Sequence, residues 1–378
     1  MPSESVQPQP FYHRLSHSLL ALGLIAVGLY LGQDIWVPLA LSVLLAVLLR
    51  PVEGWLERRG VHKVVAITLA VLLAMLVLAG ITAFISMQIA NFADDWPKLQ
   101  RNLTQFYNDA KRWVRREYHV SNREQDKYIK QAQEQLVQNL QGSGGGLLST
   151  ILGPLGTLTL LPIYAFLLLY YRTMLVNAIV ALFDRQYTSR VREILGQVKV
   201  VIQSYTVGLL LEAAVITGLT AVGLMVIGVQ YAVLLGVITA LLNLIPYIGV
   251  LIASGMTIMV AMANDGGTSS ILWIIVLFTA VQFIDNNFIV PLIVAGKVKV
   301  NALMSILGVL VGGALAGVSG MFLSIPIIAI LKVIFDRVEG LEPWGLLIGD
   351  DTPEDAPHLF RLRSRKRKQE LDKAAASE

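Results

Sequence analysis

The sequence contains no cysteine, so disulfides, thiol nucleophiles and cysteine-ligated metals are excluded at the outset. Charge is scarce too. Asp, Glu, Lys and Arg make up 15% of the 378 residues, while 55% are hydrophobic. A soluble domain of this length does not carry so large an apolar fraction, and the balance calls for lipid as solvent. Histidine is missing from the places where it would do chemistry. His13, His17, His62, His119 and His358 lie outside the long apolar runs or at their ends, which leaves an intramembrane histidine metal centre or proton relay without its groups. No phosphate-binding G-x-x-x-x-G-K-[S/T] loop and no H-E-x-x-H zinc motif occurs, which removes two common enzyme classes. We expect a non-enzyme without a metal or cofactor.

What is present is a series of continuous apolar runs. They do not alternate over ten residues as transmembrane strands do, so a β-barrel is excluded and an all-α integral membrane protein is expected. Residues 1–10 are polar and Pro-rich and read as a disordered tail. Runs at 15–31, 35–49 and 64–90 give three spans within residues 11–90. Residues 91–147 are charged, with Trp96, Leu99, Leu103, Phe106, Ala110 and Trp113 at helical spacing. That pattern predicts an amphipathic extramembrane insert, with a second helix at 125–140. Residues 148–199 hold a fourth span, taken as 147–171, and a basic loop at 172–199. Spans five and six cover 200–229 and 271–294. Residues 341–378 form a basic tail ending in RLRSRKRK. Net charge is only +4, but Lys and Arg gather at 50–63, 172–199 and 296–299. These loops are expected in the cytoplasm by the positive-inside rule, together with both termini. The C-terminal basic run beside a membrane reads as a partner for lipid head groups, not for nucleic acid.

Residues 231–263 organise the chain. Two apolar arms, each shorter than the roughly 20 residues a crossing needs, flank Asn243-Leu244-Ile245-Pro246-Tyr247-Ile248-Gly249. A Pro- and Gly-broken middle at that depth predicts a re-entrant hairpin, because irregular backbone inside a bilayer is tolerated only against protein or a water-filled cavity. Residues 301–335 are interrupted in the same way at Gly312-Gly313 and Gly317-Val318-Ser319-Gly320. Span-plus-hairpin thus occurs twice in 200–340, with opposite orientation. The expected fold is about six transmembrane helices plus two re-entrant helical hairpins in an inverted-repeat arrangement, as in several secondary transporters.

Polar residues inside these segments mark the candidate substrate or ion site. Glu212 lies about 16 Å into its span at 1.5 Å per residue, with Tyr205 and Gly208 on the same face. Gln282, Asp285, Asn286 and Asn287 cluster before Pro291, with Gln282, Asp285 and Asn286 expected on one face. Asn243, Pro246, Tyr247 and Gly249 occupy the first hairpin tip, and Gly312 and Gly313 the second. Charged groups at such depth are expensive and face protein or water. These residues are expected to converge near the midplane. The string at 317–320 also matches the GxSG of some intramembrane serine proteases, but no apolar run supplies the histidine base that chemistry needs.

The strings NLIPYIG, DNNFIVPLIVAGKVKVNALMSILGVLVGGALAGVSGMFLSIPIIAILK and LLRPVEGWLERRG resemble the autoinducer-2 exporter (AI-2E) family of bacterial membrane proteins. The resemblance covers roughly residues 15–345. It implies a multi-pass inner-membrane transporter and a homo-oligomer, with a pentamer as the expected assembly. The family takes its name from export of a small furanosyl quorum-sensing signal, and other members are linked to monovalent cation/proton antiport. A small polar solute, a monovalent cation or a proton is therefore the expected cargo. Asn243, Pro246, Gly249, Asp285 to Asn287, Pro291, Gly312, Gly313 and Gly317 match the family's motif positions, whereas Glu212 does not. The expected mechanism is alternating access. A non-transporting membrane scaffold that binds partners through 91–147, or a channel, are the alternatives.

Overall fold

The computed structural model describes residues 11–118, 160–243, 248–263, 268–294 and 300–350. Among them every regular element is helical. In chain order these are α1 (Phe11–Leu31), α2 (Gln33–Arg58), α3 (Lys63–Tyr118), α4 (Leu160–Ala181), a 3-10 turn (Arg185–Tyr187), α5 (Thr188–Ile227), α6 (Ala232–Asn243), α7 (Ile248–Ala263), α8 (Thr268–Ile284), a π-helix (Asp285–Val294), α9 (Ala302–Phe335) and α10 (Glu342–Ile348). Six helices are long and apolar enough to cross a membrane: Gln33–Arg58, Lys63–Phe92, Leu160–Ala181, Arg185–Ile227, Ser269–Pro291 and Ala302–Phe335. The number agrees with the expectation, but the membership differs. The apolar part of α1, Leu19–Leu31, is shorter than the roughly 20 residues a crossing needs, and α9 takes its place in the set.

Several boundaries also differ. The apolar part of α3 ends at Phe92, close to the expected residue 90, but the helix does not stop there. It continues without a break as one helix of 56 residues, so the amphipathic pattern read as a separate insert begins as an extension of the span. The predicted helix at 125–140 lies outside the described residues. The fourth span runs to Ala181, and most of the supposed basic loop 172–199 is helix, because Arg and Lys are good helix formers and only residues 182–187 interrupt the backbone. The start of the predicted tail is α10, not irregular chain. Asn301 holds it: its Nδ2 donates to the carbonyls of Leu347 (2.7 Å) and Gly349 (3.0 Å), while its Oδ1 caps α9 by accepting from the Met304 amide (2.8 Å).

α5 is the central element. It packs along α6, α8, the π-helix, α9, α2 and α4. Gly228, in the left-handed region at φ +87°, ends it, and α6 turns back directly against it. A Cβ on Gly236 of α6 would lie 2.8 Å from the Thr217 carbonyl of α5, so only glycine permits this approach. In lipid there is little hydrophobic drive between helices, and close packing through small residues takes over that role. α7 in turn folds back on α6: a Cβ on Gly249 would meet the Leu242 carbonyl at 1.8 Å. α9 is likewise two helical arms. The chain breaks at Ala316 (φ −148°) and Gly317 (φ +56°), and the arms close so tightly that a Cβ on Gly312 would stand 2.3 Å from the Gly320 carbonyl. The tip therefore lies at Ala316–Gly317. Gly312 and Gly313, expected at the break, are helical, and their role is to let the opposite arm approach.

Candidate functional site

The site forms where α5, the end of α6 and the start of the π-helix meet. Glu212 comes from the buried face of α5, which also carries Tyr205, Gly208 and Ile216. Asn243 is the last residue of α6. Asp285 opens the π-helix. The Asn243 Nδ2 donates to Glu212 Oε1 at 3.0 Å and to Asp285 Oδ2 at 3.1 Å. One amide thus spends both hydrogens on two carboxylates from two different helices. Glu212 and Asp285 are 8% and 3% exposed, and Asp285 Oδ1 is buried without a hydrogen-bond partner. Buried polar oxygens are rarely left so, and an orphan here means spare capacity to bind a proton or cation. Among the described residues no group of three or more His, Asp or Glu side chains forms a metal site.

Local sequence explains this convergence. The stretch from Gln282 to Pro291, with Gln282, Asp285, Asn286, Asn287 and Pro291, is ill suited to a regular α-helix, since Pro291 lacks an N–H and its ring collides with the preceding turn. The chain widens to a π-helix at Asp285, a geometry that recurs at functional sites. Gln282 and Asn286 share a face as expected, but Asp285 does not join them. Asp285 turns inward, whereas the Gln282 Nε2 donates to Asn286 Oδ1 (3.1 Å) and the Asn287 Nδ2 to the Phe283 carbonyl (2.8 Å) on the outer side. Gly312 and Gly313 have Gly320, Ser324 and Met321 as their close neighbours, within their own hairpin. Gly249 is buried in the first turn of α7, against the end of α6. Pro246 and Tyr247 lie outside the described residues.

Two polar junctions escaped sequence reasoning. Glu53 of α2 is fully buried between Arg50 (2.9 Å) and Arg172 (3.7 Å), tying α2 to α4. The signal was present in LLRPVEGWLERRG, where Arg50 and Glu53 stand three apart. At the far end of the bundle the Tyr231 hydroxyl donates to Asp95 Oδ2, and the Phe92 ring meets Tyr231 edge-on at 5.4 Å. Tyr231 holds the unusual φ of +58° at the α5–α6 turn. Partial burial, then the Asp95 carboxylate, push the Tyr231 hydroxyl up to about 12, and the hydrogen bonds from Tyr231 and Lys98 hold Asp95 below the usual carboxylate range. No pattern links residues 136 positions apart, so only the fold could reveal this contact.

With this geometry in hand, comparison with known proteins identifies relatives. A family profile described as AI-2E family transporter matches residues 19–340. YhhT of Escherichia coli (strain K12) is 25% identical over 359 residues, covering 93% of this chain and 98% of that protein. YrrI of Bacillus subtilis (strain 168) is 24% identical over 311 residues, 80% of this chain and 86% of its own length. A relative from Mycobacterium tuberculosis (strain CDC 1551 / Oshkosh) is 28% identical over 317 residues, 83% of this chain and 85% of its own. All three carry transport names.

Proposed function

The chain belongs to the AI-2E family of transporters, and from that premise we propose that it is a secondary transporter whose coupling site is the pair Glu212 and Asp285 bridged by Asn243. The bridged pair is the observation that carries the reading. A static scaffold gains nothing from two carboxylates inside a helical bundle. Insertion scales charge about 2.5–3.5 kcal/mol for each ionised side chain at depth, so such groups are kept where they act. Asn243 supplies donors only enough to answer one oxygen of each carboxylate. A proton or a monovalent cation entering the pair neutralises one charge, takes up the free oxygen of Asp285 and releases the amide from one partner. Occupancy would thereby loosen α6 from either α5 or the π-helix, which gives binding a way to bias two arrangements.

In this reading α6–α7 and the two arms of α9 are re-entrant hairpins that enter from opposite faces. Their arms support it: α6 has 12 residues and α7 has 16, roughly 18 and 24 Å at 1.5 Å per residue, short of a ~30 Å hydrocarbon core. The unit from residue 200 to 340 moves as an inverted pair against α2, α3 and α4. Both termini face the cytoplasm of an inner membrane, and copies of the chain assemble into a homo-oligomer. The cargo is a small polar solute exported in exchange for the coupling ion, or a monovalent cation exchanged for protons.

The test uses the natural absence of cysteine. In a Tyr247→Cys variant, impermeant maleimide is applied from each side of sealed vesicles in turn. Alternating access requires labelling from both sides, with the ratio shifting as a Na⁺, K⁺ or pH gradient is imposed. Labelling from one side only, unchanged by every gradient, removes the mechanism.

A further inference from the structure

The turn between α2 and α3 carries the motif WLERRG, which the transport site leaves unused. Two cations there are exposed and have no carboxylate partner among the described residues. Arg58 reaches back over Gly54, its Nη1 lying 3.7 Å from where a Cβ would sit, beside Arg50 Nη1 at 3.8 Å. Arg50 differs, since its charge is answered by Glu53 and Glu57. Arg59 stacks flat on Trp55, 4.0 Å from the ring centroid. Stacking uses the guanidinium face and leaves its edge N–H groups pointing away. Three residues beyond Gly60, Lys63 donates to the Tyr170 carbonyl (3.0 Å) and lies 5.3 Å from the Tyr170 ring centroid, which brings α4 to the same place. Trp55, Tyr170 and Tyr171 are all exposed there.

The setting narrows the ligand. The apolar span of α2 ends at this turn and that of α3 begins at it, so the turn lies where hydrocarbon gives way to head groups. Exposed aromatics are the residues that seat at that level. Val65 and Leu69, on successive turns of α3 beyond the cations, are exposed and apolar, as acyl chains require. Unpaired arginines above an apolar wall match a phosphate joined to hydrocarbon. We propose that Arg58, Arg59 and Lys63 form a binding site for the head-group phosphate of an anionic phospholipid, with Trp55 and Tyr171 bracketing it.

The full chain, purified in neutral detergent, is titrated with phosphatidylglycerol, phosphatidylcholine or inorganic phosphate, and bound lipid is counted by native mass spectrometry while thermal unfolding is followed in parallel. Wild-type protein is expected to bind phosphatidylglycerol and to unfold at a higher temperature with it, whereas the other two additives have little effect. In Arg58→Gln/Arg59→Gln, apparent affinity for phosphatidylglycerol should fall about 30-fold, the equivalent of about 1 kcal/mol for each basic residue near an anionic surface. Both side chains are exposed, so the lipid-free unfolding temperature should stay at the wild-type value; Arg58→Lys/Arg59→Lys, which keeps the charge, should recover most of the binding. Equal phosphatidylglycerol affinity in wild type and Arg58→Gln/Arg59→Gln overturns the proposal. So does equal binding of phosphatidylcholine. Saturation by inorganic phosphate alone overturns the lipid assignment in favour of a soluble phosphate.

Discussion

Replacing Asn243 by alanine removes the one donor that, among the described residues, reaches both candidate-site carboxylates. A hydrogen bond to a charged group contributes about 1.5–3 kcal/mol, so losing two of them costs about 3–6 kcal/mol if both carboxylates stay buried and charged. Relaxation of the end of α6 pulls the result toward the lower figure, about 3 kcal/mol. Asn243→Asp has nearly the same shape but replaces the donor with a third acceptor carrying charge, and should be worse than alanine. Glu212→Gln removes one of the charges the amide serves. In that background Asn243→Ala should therefore cost less, with a coupling of at least about 1 kcal/mol, as expected for residues in direct contact. The assay is reversible unfolding in mixed micelles of the four proteins of the cycle, with Thr239→Ser as control, since that hydroxyl bonds only to Leu235 of its own helix. Additive effects, or an Asn243→Ala cost below about 0.5 kcal/mol, would refute the idea that the amide holds the two carboxylates together.

Two further perturbations test the supports of the site. Gly320→Ala places a methyl where a Cβ would lie 1.9 Å from the Gly312 carbonyl, so the arms of α9 must part; overpacking of this kind costs about 1–3 kcal/mol, and thermal unfolding should show it, while Gly218→Ala, with open space around it, should not. Tyr231→Phe deletes the hydroxyl that donates to Asp95. Because Asp95 is held low in the folded protein, its contribution is present above the ordinary carboxylate range and is lost as pH falls through its folded value; that of Tyr231 is present below about 10 and lost as pH rises toward about 12. The variant should therefore lose stability at neutral pH and converge with wild type at both extremes. A gap between the two unfolding temperatures that is constant from pH 3 to 12 would contradict that assignment.

Much of the candidate site was legible in the sequence because membrane burial makes polar residues conspicuous. Glu212, Asn243 and Asp285 stand out from apolar surroundings, and 1.5 Å per residue puts Glu212 near the middle of its span. That they share an amide follows from the contact between α5 and α6, which Gly236 permits and which no spacing rule announces. The inward turn of Asp285 was not legible, because a period of 3.6 was applied to a stretch that widens to a π-helix. The interruption of α9 was anticipated at two glycine clusters, and only the second holds it: Gly312 serves close packing, while Gly317 carries the positive φ of the break. Helix ends at charged residues were the least legible, since Arg and Lys in 172–199 continue a helix as readily as they form a loop.

The central claim is that the bridged carboxylates couple ion movement. Proteoliposomes containing wild type, Asp285→Asn or Glu212→Gln, loaded with a pH-sensitive dye, are given an outward gradient of Na⁺, K⁺ or Li⁺, and internal pH is followed. The account predicts proton movement driven by at least one cation in wild type and its loss in both variants, with each variant's unfolding temperature and assembly size retained. Flux at the wild-type rate in either folded variant would remove that carboxylate from the mechanism, and flux in both would end the proposal.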